Sequence, residues 1–208
     1  IFNNNSLTSL SGLHNLISIS GNLEIKTNYV LTSLIGLDNL NSIGGSLEIE
    51  SNYNIINLSD LGDLSSIGSN LLIKGTDELA NLSGFESIVS IGGDLVIRSN
   101  NNLTSLLGLD SITSIGGDLE INDNNILTNC CNALCWENIV GGTITINDNA
   151  EGCNSLGDIQ NNCDEDDCIV IGCTDLNAIN YNTEAIIDDG SCEYGTQACP
   201  EPCNVVLG

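Results

Sequence analysis

Few architectures can be built from a period of 24 residues held without slippage through five copies. Leu7, Leu31, Ile55, Leu79, Leu103 and Leu127 share one column of the repeat, and Leu10, Leu34, Leu58, Leu82 and Leu106 share the next. Five further columns begin at Leu13, Leu16, Ile19, Leu23 and Ile25 and repeat in the same way. One such unit cannot bury its apolar side alone, so the copies must stack and share a core. Leu23 and Ile25 are two apart, the alternation of a strand, whereas Leu7 to Ile19 advance in threes, which suits neither an α-helix nor a heptad. Gly36, Gly84 and Gly108, with Gly44-Gly45, Gly92-Gly93 and Gly116-Gly117, interrupt each turn too often for a long helix. The pattern predicts a mainly β chain, a right-handed parallel β-solenoid with turns about 4.8 Å apart, so that five to six turns rise roughly 25 to 30 Å. Asn28, Asn52, Asn100 and Asn124, with Thr76 between them, are expected to form an inward ladder that satisfies buried backbone groups at a bend. A hydroxyl supplies fewer hydrogen bonds than a carboxamide, which makes Thr76 the weak rung.

The unit LTSLxGLxxLxSIGGxLEIxxN resembles the leucine-rich repeats of receptor L domains and of secreted bacterial proteins, over about residues 5–149. The resemblance implies a solenoid, and such solenoids serve ligand binding, adhesion and wall structure alike. A sixth copy, Leu127 to Asn149, has Ile144 and Ile146 as its strand, carries one extra residue and contains Cys130, Cys131, Cys135 and Trp136. It reads as a terminal cap. The expected organisation is a five-turn solenoid at 1–129, a cysteine-containing sixth turn and cap at 130–163, and an acidic, disulfide-rich tail module at 164–208.

Charge decides which partners are excluded. Of 208 residues, 28 are acidic and 3 basic, for a net charge of -25. Neither nucleic acid nor an anionic membrane surface can be held without clustered Lys and Arg. No apolar run approaches the ~18 residues of a membrane span, so no membrane insertion is expected. All ten cysteines follow residue 129: Cys130, Cys131, Cys135, Cys153, Cys163, Cys168, Cys173, Cys192, Cys199 and Cys203. An even number crowded into one region predicts disulfides and an extracellular location, secreted or at the cell surface. Zinc is disfavoured by the three- and four-residue spacings and by the distance of the single His14.

Within the tail, Gly172 to Tyr194 (GCTDLNAINYNTEAIIDDGSCEY) resembles a short cysteine-bounded repeat of surface proteins from marine Bacteroidota. That resemblance favours pairing Cys173 with Cys192 and leaves the other pairings open. The same stretch contains the oxygen donors a calcium ion would want, at Asp175, Asn177, Asn180, Asn182, Asp188 and Asp189. The alternative is a solvated acidic surface stapled by disulfides. Asn4, Asn57, Asn81 and Asn102 begin N-x-S/T sequons, and Asp110-Ser111-Ile112 resembles a bacterial O-glycosylation motif, making these five glycosylation candidates.

Along the predicted strands, the columns of Glu24 and Lys26 face outward. All three basic residues, Lys26, Lys74 and Arg98, fall in one of these columns, with Glu50 between the first two. Pairing of Lys26 with Glu50, and of Glu50 with Lys74, is expected to help fix register. Leu72 and Val96, apolar on that face beside Lys74 and Arg98, form a candidate contact patch for a protein or glycan.

With one His, two Lys and one Arg, the chain lacks the usual bases and oxyanion groups, and no catalytic role is expected. The functional expectation is an extracellular structural or adhesive protein, its partners being copies of itself or other surface proteins and glycans. In its sharpest form, the copies assemble head-to-tail into a fibre, with Asn204 to Leu207 adding a strand to an open edge. The alternative is a ligand-recognition module working through its exposed sheet.

Overall fold

The computed structural model describes residues 1–163, 171–181, 187–188 and 192–194. The chain divides into two compact units, Ile1–Cys168 and Ile169–Gly208.

The first unit is a parallel β-solenoid. Each of its five regular turns contributes a short strand, β1 (Ser18–Ile19), β3 (Ser42–Ile43), β5 (Ser66–Ile67), β7 (Ser90–Ile91) or β9 (Ser114–Ile115), to one parallel sheet. It contributes a longer one, β2 (Leu23–Lys26), β4 (Leu47–Glu50), β6 (Leu71–Lys74), β8 (Leu95–Arg98) or β10 (Leu119–Asn122), to a second. A sixth strand, β11 (Ile144–Asn147), completes the second sheet in the order β11-β10-β8-β6-β4-β2. Register follows the repeat: Leu23 lies opposite Leu47, Leu47 opposite Leu71 and Leu71 opposite Leu95. Between β10 and β11 the offset becomes 25, Leu119 opposite Ile144, because the sixth turn carries the extra residue.

The spacing by threes has a direct backbone cause. In every turn consecutive apolar residues are joined by i to i+3 hydrogen bonds, as from Leu37 N–H to Leu34 O (3.1 Å) and from Leu40 N–H to Leu37 O (2.9 Å). A chain that turns once in three residues returns every third side chain to the same side, here the interior. Two of these stretches are 3₁₀ helices, Ser11–Leu13 and Ser59–Leu61. All seven apolar columns are buried from the second turn to the fifth, while Leu7, Leu13, Leu16 and Ile19 of the first turn, and Val140 and Ile144 of the sixth, are half-buried.

The asparagine ladder lies fully inside the molecule. Asn28, Asn52, Thr76, Asn100 and Asn124 are all 0% exposed, although each is polar. Each asparagine bonds to the turn before it in two ways. The Asn28 N–H donates to Asn52 Oδ1 (3.0 Å), and Asn52 Nδ2 donates to Ile25 O (2.7 Å). The ladder runs further than the repeat columns suggested, from Asn4 N–H on Asn28 Oδ1 to Asn124 N–H on Asn149 Oδ1. The residue before each rung takes a left-handed backbone: Thr27, Ser51, Gly75, Ser99 and Asp123 have φ between 55° and 60°. That turn aims the next side chain inward, and only Gly75 adopts it without a steric cost.

The sixth turn caps the apolar core and leaves the outer edge of β11 without a strand among the described residues. α1 (Asn132–Cys135) packs against α2 (Leu156–Asn162), which Ser155 caps by accepting the Asp158 N–H at 3.0 Å. Trp136, Ala133 and Ile159 cover the last turn of the core. Disulfides Cys130–Cys153 and Cys131–Cys163 tie the cap down, and Cys135 is disulfide-bonded as well. In the second unit Cys173 is joined to Cys192, and β12 (Ile171–Gly172) pairs in parallel with β13 (Ile187–Asp188).

Candidate interaction surface

The outward face of the larger sheet brings the candidate patch together. Leu72 and Val96 are directly opposed in register, and so are Lys74 and Arg98. All four side chains are half-buried. The ion pairs differ from the expected pattern in one respect. Lys74 does reach Glu50 (2.7 Å), but Lys26, although opposite Glu50 in register, turns instead to Glu24 (3.0 Å) and to Glu48. Glu50 is already claimed by Lys74, and Glu24 and Glu48 together offer Lys26 two carboxylates on one side. The Lys26 ammonium also lies 5.8 Å from the centroid of the Phe2 ring. Arg98, facing the like charge of Lys74, reaches Glu120 at 3.5 Å. The hydrogen bond from Lys74 holds the Glu50 carboxyl below its ordinary range, and the bond that Lys26 donates to Glu48 raises the Lys26 ammonium. Pairs this exposed contribute at most about 1 kcal/mol each, so their main effect is on register.

A second ladder went unread in the sequence. Asn22, Ser46, Asn70, Asp94 and Asp118 form a column just before the long strands, and each side chain accepts the backbone N–H of the following turn. Examples are Ser46 N–H on Asn22 Oδ1 (2.9 Å), Asp94 N–H on Asn70 Oδ1 (2.9 Å) and Thr143 N–H on Asp118 Oδ1 (2.7 Å). It runs opposite in sense to the interior ladder, in which the N–H of one turn donates to the side chain of the next. The signal was available: five successive copies place a small polar acceptor before the strand leucine. The bonds from Thr143 hold Asp118 below the usual carboxylate range.

Asp60 breaks the glycine column. It sits in the Ser59–Leu61 helix, and its Oδ2 accepts the Leu34 N–H of the previous turn at 2.9 Å. Burial pushes its carboxyl up, and the neighbouring Asp38 adds to the shift against the lowering effect of the Leu34 N–H. A raised native value means that the protonated form is favoured by folding. The resulting stability is present below the unfolded value and lost as pH rises through the native one. We expect Asp60→Asn, which keeps the acceptor and removes the charge, to melt above the parent at pH 7. Thermal melts across pH should show the difference shrinking as the parent's Asp60 protonates.

The sequons lie at different depths. Asn4 and Asn102 are exposed, whereas Asn57, Asn81 and Ser111 are half-buried. Asn57 Oδ1 accepts both the Ser59 hydroxyl (2.6 Å) and the Ser59 N–H (3.2 Å), and Asn81 Oδ1 accepts the Ser83 N–H (3.0 Å).

Of the calcium candidates, Asn182 and Asp189 lie outside the described residues, as does the side chain of Asp188. Of the other three, Asp175 and Asn180 have side-chain oxygens already engaged, and Asn177 is tied to Asp175 through its nitrogens. Asp175 accepts from Tyr194 Oη (2.6 Å) and from the N–H and Nδ2 of Asn177 (2.9 Å each), and Asn180 Oδ1 accepts the Glu193 N–H (2.7 Å). These bonds hold the Asp175 carboxyl low, the bond from Tyr194 having the largest effect. Among the described residues no three His, Cys, Asp or Glu side chains converge as a metal would need. Nor, among them, is any helix long and apolar enough to cross a membrane. Cys168, Cys199, Cys203 and the Asn204–Leu207 segment also fall outside the described residues.

The class this geometry defines is a parallel β-solenoid of about five turns with a disulfide-bonded C-terminal region. No family model matches the chain, and no curated protein matches it.

Proposed function

We infer that this is a non-catalytic extracellular protein with a structural or adhesive role, built from repeats of the leucine-rich class. In the sharpest form of this reading its copies stack head-to-tail into a fibre. The observation that carries it is the outer edge of β11, which pairs with β10 on one side and with no strand on the other among the described residues. A row of unpaired N–H and C=O groups on the edge of a parallel sheet is a template for another strand. A partner strand that adds to this edge extends the sheet past the capped core, and a heterologous contact of this kind generates filaments. Disulfides in the cap support an oxidising compartment. The seven apolar columns and the buried asparagine ladder support the leucine-rich reading.

A second reading has one observation in its favour: Leu72 and Val96, opposed on an outward sheet face beside two cations, suit recognition of a ligand. Electron microscopy of the protein from its native source separates the two. Regular filaments with one solenoid per axial repeat are expected, and dispersed single particles would overturn the fibre and favour recognition.

A further inference from the structure

The bends that lead away from the large sheet carry no charge in the first three turns. Residues 3–9, 27–33 and 51–57 contain only amide, hydroxyl and apolar side chains, and charge returns at Asp77 and Glu78 in the next turn. In a chain with 28 acids this is an unusual strip. Register brings its segments together, with the Ile56 N–H on Thr32 O (3.3 Å) and Asn54 Nδ2 on Tyr29 O (2.6 Å).

On this strip Tyr29 and Tyr53 stack with ring centroids 5.4 Å apart and planes 4° from parallel. They are 40% and 43% exposed, and Val30 and Ile56 beside them are 39% and 57% exposed. The chain has four Tyr, two Phe and one Trp. It buries Trp136 and Phe85 but holds these two rings at the surface. Mutual stacking accounts for their alignment and not for the exposed apolar groups around them.

We propose that this uncharged bend binds a neutral polysaccharide chain, with Tyr29 and Tyr53 as its aromatic contact. Tyrosine offers a large, rigid, amphipathic surface at low entropic cost, which suits the C–H face of a pyranose ring. The surrounding amides and hydroxyls, among them Asn54 and Thr32, match sugar hydroxyls. Charge selects the occupant. An anionic polymer meets a net charge of -25 with no cation on the strip, and a basic partner is drawn more strongly to the acidic faces elsewhere. The inference goes beyond the stacking of copies and does not depend on it.

The test is affinity electrophoresis of the full chain in gels containing neutral polysaccharides (β-glucan, xylan, mannan) or charged ones (alginate, pectate). We expect retardation by at least one neutral polymer and none by the charged ones. The Tyr29→Ala/Tyr53→Ala variant should lose about tenfold or more in affinity, and Tyr29→Phe/Tyr53→Phe should keep most of it. Tyr29→Leu/Tyr53→Leu retains apolar packing at the bend, so loss of binding with an unchanged melting temperature would isolate the aromatic faces. Failure of every neutral polymer, equal binding of charged ones, or full binding by the leucine variant would each overturn the proposal. None of these outcomes bears on filament formation.

Discussion

Replacing Asn100 by Leu should destabilise the solenoid by about 3 to 5 kcal/mol, a large part of the roughly 5 to 15 kcal/mol that separates a folded domain from its unfolded chain. Asn100 is fully buried, and its Oδ1 accepts both the Thr76 N–H (3.1 Å) and the Thr76 hydroxyl (2.7 Å). Its Nδ2 donates to Ile73 O (3.1 Å) and to Asn124 Oδ1 (3.2 Å). Leucine fills much the same volume and serves none of these groups. Each donor or acceptor left dry costs about 1 to 3 kcal/mol. Chemical denaturation measures the loss, and Asn125→Ala, at an exposed position one residue after the next rung Asn124, is the control and should stay within about 0.5 kcal/mol of the parent. The converse change lies at the weak rung. Thr76 makes no bond to Ile49 O comparable with those from Asn52 to Ile25 O and from Asn100 to Ile73 O. Thr76→Asn should therefore stabilise by about 1 kcal/mol. A destabilised Thr76→Asn variant would show that the rung is limited by space instead of hydrogen bonds.

Gly84→Ala should cost about 3 kcal/mol or more, while Gly12→Ala, at the equivalent place in the first turn, should be neutral or slightly stabilising. Gly84 has φ of 114°, and an added Cβ would lie 2.1 Å from Leu58 O and 2.2 Å from Leu58 C. Both atoms belong to the backbone of the previous turn, so relief requires the turns to part. Gly12 lies in the Ser11–Leu13 helix with nothing within 4 Å of its added Cβ. There alanine only restricts the unfolded chain, for a gain of up to about 1 kcal/mol. Paired thermal melts check both expectations, and equal effects at the two sites would refute the steric argument.

Those two glycines mark where reading by column stops. The apolar columns, the alternation of the long strands, the inward asparagines and the irregular sixth turn were all legible in the sequence. Each is a periodic demand on burial, and a repeat states that demand five times over. The surface was less legible. Column position put Lys26 opposite Glu50, and the register agrees, yet the flexible ammonium settles on Glu24 and Glu48 because Lys74 occupies Glu50. The outer ladder from Asn22 to Asp118 was overlooked because its side chains mix Asn, Ser and Asp, which share only an acceptor oxygen.

The sequence by itself determined a stacked parallel solenoid, its 24-residue register, the residues that fill it and the cysteine-stapled end. Burial of a repeated apolar pattern leaves few alternatives at that level. Tertiary structure alone decided how one column can hold a 3₁₀ helix at Gly12 and Asp60 but a left-handed turn at Gly36, Gly84 and Gly108. It also decided which cation meets which carboxylate, and that Tyr29 and Tyr53 stack at the surface. Such choices turn on contacts between neighbouring turns, where differences of an ångström or less select among conformations that the local sequence leaves nearly equal in energy.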